Sequence, residues 1–203
     1  MTEASAQATR HTRGIGVFCG SRAGTRPQYT DVAAEFGAAL VGRGVGLVYG
    51  AGGVGVMGAL ANGAVDAGAR VTGVIPHELF DREHPDRVGA ELFIVRSMHQ
   101  RKALMYRLAS AFAVLPGGFG TLDELMEVVT WNRLNLHEKP VVLLNIDGFF
   151  DPLTALLDHL HAEGFINASE RALVQVAQDC EQALDLLGQA PRVPVATGLE
   201  GPT

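Results

Sequence analysis

Cysteine, long apolar runs and excess positive charge are all scarce in this chain, and each shortage removes a class of protein. Cys19 and Cys180 are the two cysteines among 203 residues, and they lie far apart. Two distant thiols do not make a disulfide framework, so they read as structural groups in a reduced, intracellular protein. No apolar stretch approaches the ~20 residues that cross a bilayer, which argues against a membrane partner. Residues 1–13 are polar and hold no apolar h-region, so they are not expected to form a secretory signal. The expected compartment is the cytoplasm. A net charge of −6, with no basic stripe or aromatic-interleaved basic patch, argues against nucleic acid as a partner. No Gly-x-Ser-x-Gly elbow occurs, which removes the hydrolases built on that nucleophile. His77, His84, His99, His137, His159 and His161 show no metal-ligand spacing with cysteine or carboxylate, so most read as surface or capping residues and no metal is expected.

What is present is a regular alternation. Short continuous apolar runs over residues 15–19, 46–49, 71–75, 92–95, 111–115 and 141–144 read as strands. Helical stretches lie between or after them, over approximately 29–43, 56–68, 98–109, 122–135 and 152–163. Apolar runs that do not alternate belong to strands buried on both faces. The pattern predicts an α/β fold: a Rossmann-like, doubly wound parallel sheet with helices on both faces, in a single domain. Residues 172–177 fit a short edge strand and 180–187 a closing helix. The expected domain covers 14–188, flanked by a flexible segment at 1–13 and a flexible tail at 189–203.

Ligands in such sheets bind beyond the carboxyl ends of the strands, and glycine-rich turns fall there after Cys19, Tyr49 and Leu115. The last is the most informative: Pro116-Gly117-Gly118-Phe119-Gly120-Thr121-Leu122-Asp123-Glu124. Glycines between a strand and a helix let backbone N–H groups converge on an anion, and the helix dipole reinforces them. A Thr at the helix start can cap it and donate to a phosphate. A dinucleotide fingerprint fits poorly, because the first strand ends in Gly20-Ser21-Arg22-Ala23-Gly24 and the Gly50-x-Gly52-x-x-Gly55 spacing follows the second strand.

Arg101 and Glu124 carry the next step. A cation in the first turn of a helix opposes its dipole, and Arg101 shares a helical stripe with Leu104, Met105 and Leu108. It therefore wants an anion or carboxylate at the strand edge. On the following helix Leu122, Leu125, Met126 and Val129 fall on one stripe, which reads as the core side. Glu124 points away from it, together with Val128 and Trp131. That second apolar face predicts a homodimer through the helix over 122–135, with Glu124 at the interface rim.

These motifs resemble the LOG (Lonely Guy) family, the cytokinin riboside 5′-monophosphate phosphoribohydrolases. The 116–124 run matches the family's PGGxGTxxE, and Met98-His99-Gln100-Arg101-Lys102 matches its M-x-x-R-K. Residues 49–58, Val74-Ile75-Pro76, and the stretch from Lys139-Pro140-Val141 through Asp147-Gly148-Phe149 are also similar. Where the family usually has Gly-Gly-Gly-Ser, this chain has Gly50-Ala51-Gly52-Gly53. The resemblance implies hydrolysis of the N-glycosidic bond of an N6-substituted AMP to a free base and ribose 5-phosphate, without a cofactor. It implies Arg101 and Glu124 as the catalytic pair and Gly117, Gly118, Gly120 and Thr121 as the phosphate cradle. Lys102, Glu83 and Thr130 match further ligand-contacting positions, and Met98, Gly20, Ser21, Gly52 and Gly53 complete the expected contact set. Glu124 would act as base or as electrostatic stabiliser. Two other functions remain open from the residues: a nucleoside-monophosphate glycosylase of broader specificity, and a non-catalytic nucleotide carrier. A lysine decarboxylase has no pyridoxal phosphate signature to support it.

Overall fold

The computed structural model describes residues 14–83 and 88–188. The segments at 1–13 and 189–203, and His84, lie outside the described residues. Seven parallel strands form one sheet in the order β4-β3-β2-β1-β5-β6-β7. In chain order the strands are β1 Gly14–Phe18, β2 Gly46–Tyr49, β3 Val71–Pro76, β4 Glu91–Val95, β5 Ala109–Val114, β6 Val141–Leu144 and β7 Val174–Ala177. The helices are α1 Gln28–Ala39, α2 Gly55–Asp66, α3 Phe80–Glu83, α4 Met98–Leu108, α5 Phe119–Arg133, α6 Asp151–Ala162, α7 Ala168–Arg171 and α8 Cys180–Gly188.

Strands β1, β2, β3 and β6 are buried along their whole length, as their unalternating apolar sequences require. One face of the sheet packs on α1, α2 and α8 through residues such as Phe36, Leu60 and Leu184. The other packs on α4, α5 and α6 through Met105, Leu125, Val128 and Leu157. The edge strands break the pattern: β7 is half-buried at its two middle residues, and β4 leaves Phe93 and Ile94 exposed.

The expected doubly wound sheet is therefore the one observed, with differences at its joints. Strand β5 begins at Ala109, immediately where α4 ends, so the expected helix over 98–109 and strand over 111–115 share one junction. Helix α5 begins at Phe119, three residues before the expected start, and takes in part of the glycine run. Thr121 is consequently not its cap: Gly118 occupies that position and no side chain caps it.

The inward face of α5 also differs from expectation. Its buried residues are Thr121, Leu125, Val128 and Asn132, whereas Leu122 and Met126 are exposed. Val128 is in the core of this chain and Trp131 packs on Tyr106 at 4.5 Å between ring centroids. The outward face on which Val128 and Trp131 were expected is thus an inward one. Two polar residues on the buried stripe, Thr121 and Asn132, hid its phase from a count of apolar positions.

Phe112 of β5 is the aromatic hinge of this side of the core. It stacks on Phe18 at 5.3 Å and meets Tyr106 edge-on at 5.6 Å. Phe112→Ala is expected to lower unfolding free energy by about 3–5 kcal/mol, read from the midpoint of urea denaturation.

Candidate active site

The sheet order reverses at β1, whose neighbours β2 and β5 lie on opposite sides. Connections leaving β1 and β5 diverge there, which opens a crevice at the carboxyl edge. Gly20 N–H donates to Pro116 O at 3.0 Å and Leu115 N–H donates to Phe18 O at 2.9 Å, so the two glycine turns lie against each other. A Cβ on Gly117 would sit 2.0 Å from Thr121 Oγ1 and 2.8 Å from Gly20 N. Glycine is therefore required at 117 by close approach. The first N–H groups of α5, like those of any helix start, have no intrahelical partners and face the crevice.

The crevice has a volume of about 580 Å³. Gly20, Ser21, Gly117, Gly118, Gly120 and Thr121 line one side of it, and Glu83, Met98, Arg101 and Glu124 also line it. The sequence-derived residues thus converge on a single cavity. Four others do not line it: Lys102, Thr130, Gly52 and Gly53. Gly52 N–H meets Met57 Sδ at 3.2 Å, and Gly53 N–H donates to Glu83 O at 2.7 Å. Gly53 thus holds the segment that carries Glu83, and Gly52 is tied to α2. Thr130 is exposed on α5.

Arg101 is 8% exposed and its Nη2 donates to Gly50 O at 2.8 Å. A Cβ at position 50 would overlap that guanidinium nitrogen at 1.8 Å, so the second glycine turn exists partly to admit Arg101. The arginine sits one turn into α4, whose start is held by Ser97 Oγ accepting from Gln100 N–H at 3.3 Å. Its buried Nε has no hydrogen-bond partner among the described residues, an orphan donor at a cavity wall.

Burial pushes the Glu124 carboxyl up to about 7, against the nearby charges of Arg101 and Lys102 and with the help of Asp123 and Glu127. A carboxyl in that range exchanges protons near neutrality. Cys19 lines the same cavity, but burial raises its thiol well above the ordinary value, with Glu124 adding to the effect. It is a protonated wall group, not a nucleophile. Lys102 does not itself line the crevice; its ammonium pairs with Asp123, which does, and with Glu127, each at 2.7 Å.

Further lining residues were not singled out by sequence: Arg22, Tyr29, Met57, Asp123 and Phe149. Arg22 follows the Gly20-Ser21 turn and is the second cation of the wall beside Arg101. Its place next to a glycine turn was its one available signal. Phe149 reaches the cavity from the segment after β6, a stretch that resembles the family's pattern but in which the sequence marks no contact residue.

Residues 57–187 match the family model described as "Possible lysine decarboxylase". Among curated relatives, cytokinin riboside 5′-monophosphate phosphoribohydrolase LOG of Oryza sativa subsp. japonica is 48% identical over 162 residues, which is 80% of this chain and 67% of that protein. Cytokinin riboside 5′-monophosphate phosphoribohydrolase LOG2 of Arabidopsis thaliana is 46% identical over 175 residues, covering 86% of this chain and 82% of that one. The chain belongs to the LOG family. The fold of this LOG-family chain is also that of the Moco carrier protein from Chlamydomonas reinhardtii, with a TM-score of 0.65 and 24% identity over 87% of this chain and 95% of that one. At that identity the likeness concerns architecture.

The raised carboxyl of Glu124 has a thermodynamic consequence. Its folded value of about 7 exceeds the ordinary 4.5, so the folded state binds the proton more tightly. Stability is then lost as pH rises from 4.5 through about 7. Glu124→Gln removes that loss. It is expected to melt about 2–5 °C above the parent near pH 8 and to coincide with it near pH 4, as followed by circular dichroism.

Proposed function

We propose that this LOG-family chain is a phosphoribohydrolase that cleaves the N-glycosidic bond of N6-substituted AMP, releasing the free base and ribose 5-phosphate. The observation that carries this reading is the placement of Arg101 and Glu124, from two helices, in one crevice with the glycine turn at the start of α5. Phosphate binding alone would not call for a half-buried carboxylate beside the cradle.

In this reading the 5′-phosphate rests on the N–H groups of residues 117–121, with Thr121 contributing its hydroxyl. That remote binding places the sugar over Glu124. As the C1′–N bond breaks, its electron pair leaves with the base and positive charge develops on the ribose ring. The Glu124 carboxylate stabilises that charge or takes a proton from the water whose oxygen bonds to C1′. The departing base takes up one proton, so that the water is divided between sugar and base. Arg101 keeps Glu124 partly ionised and offers its Nε to the substrate. Glu83 and Met98 form the wall facing the leaving base.

The decarboxylase description of the family model fits the residues poorly. A pyridoxal phosphate enzyme needs a lysine amine in its pocket. The chain has two lysines: Lys102 is held by two carboxylates, and Lys139 Nζ donates to Tyr106 O. Neither lines the crevice.

A homodimer through α5 is supported by a different face from the expected one. Phe119, Leu122 and Met126 are exposed at i, i+3 and i+7, and Phe119 is 94% exposed at the crevice mouth. A second copy covering this stripe would also border the crevice. Two buried free thiols favour a cytoplasmic location, and no helix among the described residues is long and apolar enough to cross a membrane.

Incubation with N6-isopentenyl-AMP, AMP and the matching nucleosides, followed by chromatography, tests the reaction. Free base is expected from the nucleotides and not from the nucleosides, with the acid limb of the rate profile near 7. Glu124→Gln is expected to lose about 10²–10⁴-fold in kcat. Tight nucleotide binding without base release would identify a carrier instead. For the interface, Leu122→Glu with Met126→Glu is expected to halve the sedimenting mass; an unchanged mass would place any interface elsewhere.

A further inference from the structure

We propose that Lys102 is a positioning residue: by clamping Asp123 and Glu127 it fixes Glu124 at its distance from Arg101, and it does not bind substrate. The inference rests on the reaction proposed above. It departs from the substrate-contact role that the M-x-x-R-K resemblance implies for this lysine.

The argument begins with neighbouring residues that face different ways. Arg101 and Lys102 are adjacent on α4, yet Arg101 lines the crevice and Lys102 does not. The Lys102 ammonium instead crosses to α5, 2.7 Å from Asp123 Oδ2 and 2.7 Å from Glu127 Oε2. The lysine side chain is 18% exposed and Glu127 29%, whereas Asp123 is 62% exposed, so the Glu127 half of the pair is the better shielded one. Asp123 immediately precedes Glu124, and Glu127 lies one turn beyond it. The clamp therefore grips α5 on both sides of the proposed catalytic carboxylate, while its own root adjoins the proposed catalytic arginine.

One turn further along α4 the same alignment continues with less charge. Tyr106 stands at i+4 from Lys102, with its hydroxyl toward Glu127 and its ring on Trp131, 4.5 Å between centroids. Positions 102 and 106 of α4 thus interlock with 123, 127 and 131 of α5. Both sets follow the i, i+4 rows along which helices mesh.

The clamp also sets charge. The groups acting on Glu124 are Arg101 and Lys102 from α4, Asp123 and Glu127 from its own helix, Tyr106 from α4 and the Cys19 thiol from the turn after β1. The Lys102 charge opposes the upward push of burial on Glu124, whereas Asp123 and Glu127 add to it. Removing the lysine leaves both acids unopposed and moves Glu124 upward. Removing one acid moves it downward.

Those opposite signs separate positioning from binding. The parent is first shown to release base, which settles the reaction itself. Lys102→Met, Lys102→Arg and Glu127→Gln are then compared by steady-state kinetics across pH, with folding checked by thermal melts. Lys102→Met is expected to lower kcat about 10–100-fold with KM within about twofold, and to shift the acid limb upward. Lys102→Arg should restore much of kcat and the limb. If Lys102→Met does not fold, Glu127→Gln carries the test: lower kcat, similar KM and a limb shifted downward. A raised KM at unchanged kcat and limb in Lys102→Met would make the lysine a substrate ligand and overturn the proposal. A limb that moves in neither Lys102→Met nor Glu127→Gln would overturn it equally.

Discussion

The geometry of the molecule depends on one reversal in a parallel sheet. Strand β1 is flanked by β2 and β5, and the chain winds outward from it in both directions. A right-handed crossover from each strand carries its helix to opposite faces, so the turns after β1 and β5 part company at the carboxyl edge. The gap between them is a consequence of winding, present whatever residues fill it. Glycine at 117, required by the approach to Thr121 and Gly20, then lets one turn close against the other. Backbone N–H groups are left lining the gap, and a helix start supplies their polarity.

Into that gap the fold brings two charges at some cost to stability. Arg101 is buried with one strong backbone contact, and Glu124 is desolvated enough to move to about 7. Neither arrangement favours folding on its own terms, since buried ionisable groups lose hydration. Such groups persist where chemistry uses them. The two free cysteines show the contrast: both are buried, and burial raises both thiols, so they pack as small apolar groups.

Much of this was legible in the amino-acid sequence, for identifiable reasons. Buried parallel strands write long apolar runs, and helix starts against the dipole make an arginine conspicuous, so the sheet and Arg101 could be read directly. The glycine run was legible as a cradle because backbone, not side chain, does its work. The phase of α5 was not. Leu122, Leu125, Met126, Val128 and Val129 supply apolar residues to more than half of the helix, and the true inward stripe includes Thr121 and Asn132. Apolar periodicity cannot resolve a helix whose inward stripe is half polar and whose outward face carries exposed apolar residues. Lys102 was illegible for another reason: its partners lie on a different helix, and only the crossing of α4 and α5 reveals them.

The junction between α4 and β5 bears on how such a site works. Helix α4 ends at Leu108 and β5 begins at Ala109, with no intervening loop, and Ala109 N–H still donates to Met105 O. A helix fused to the central sheet in this way has no slack about that end. A shift of the α4 backbone that carries Arg101 would have to drag β5 and its neighbours β1 and β6 with it. The crevice is accordingly a preformed mould and not a jaw: a ligand meets the arginine and the cradle at fixed spacing. Discrimination between ligands then comes from fit, with little of the binding energy diverted into closing the protein.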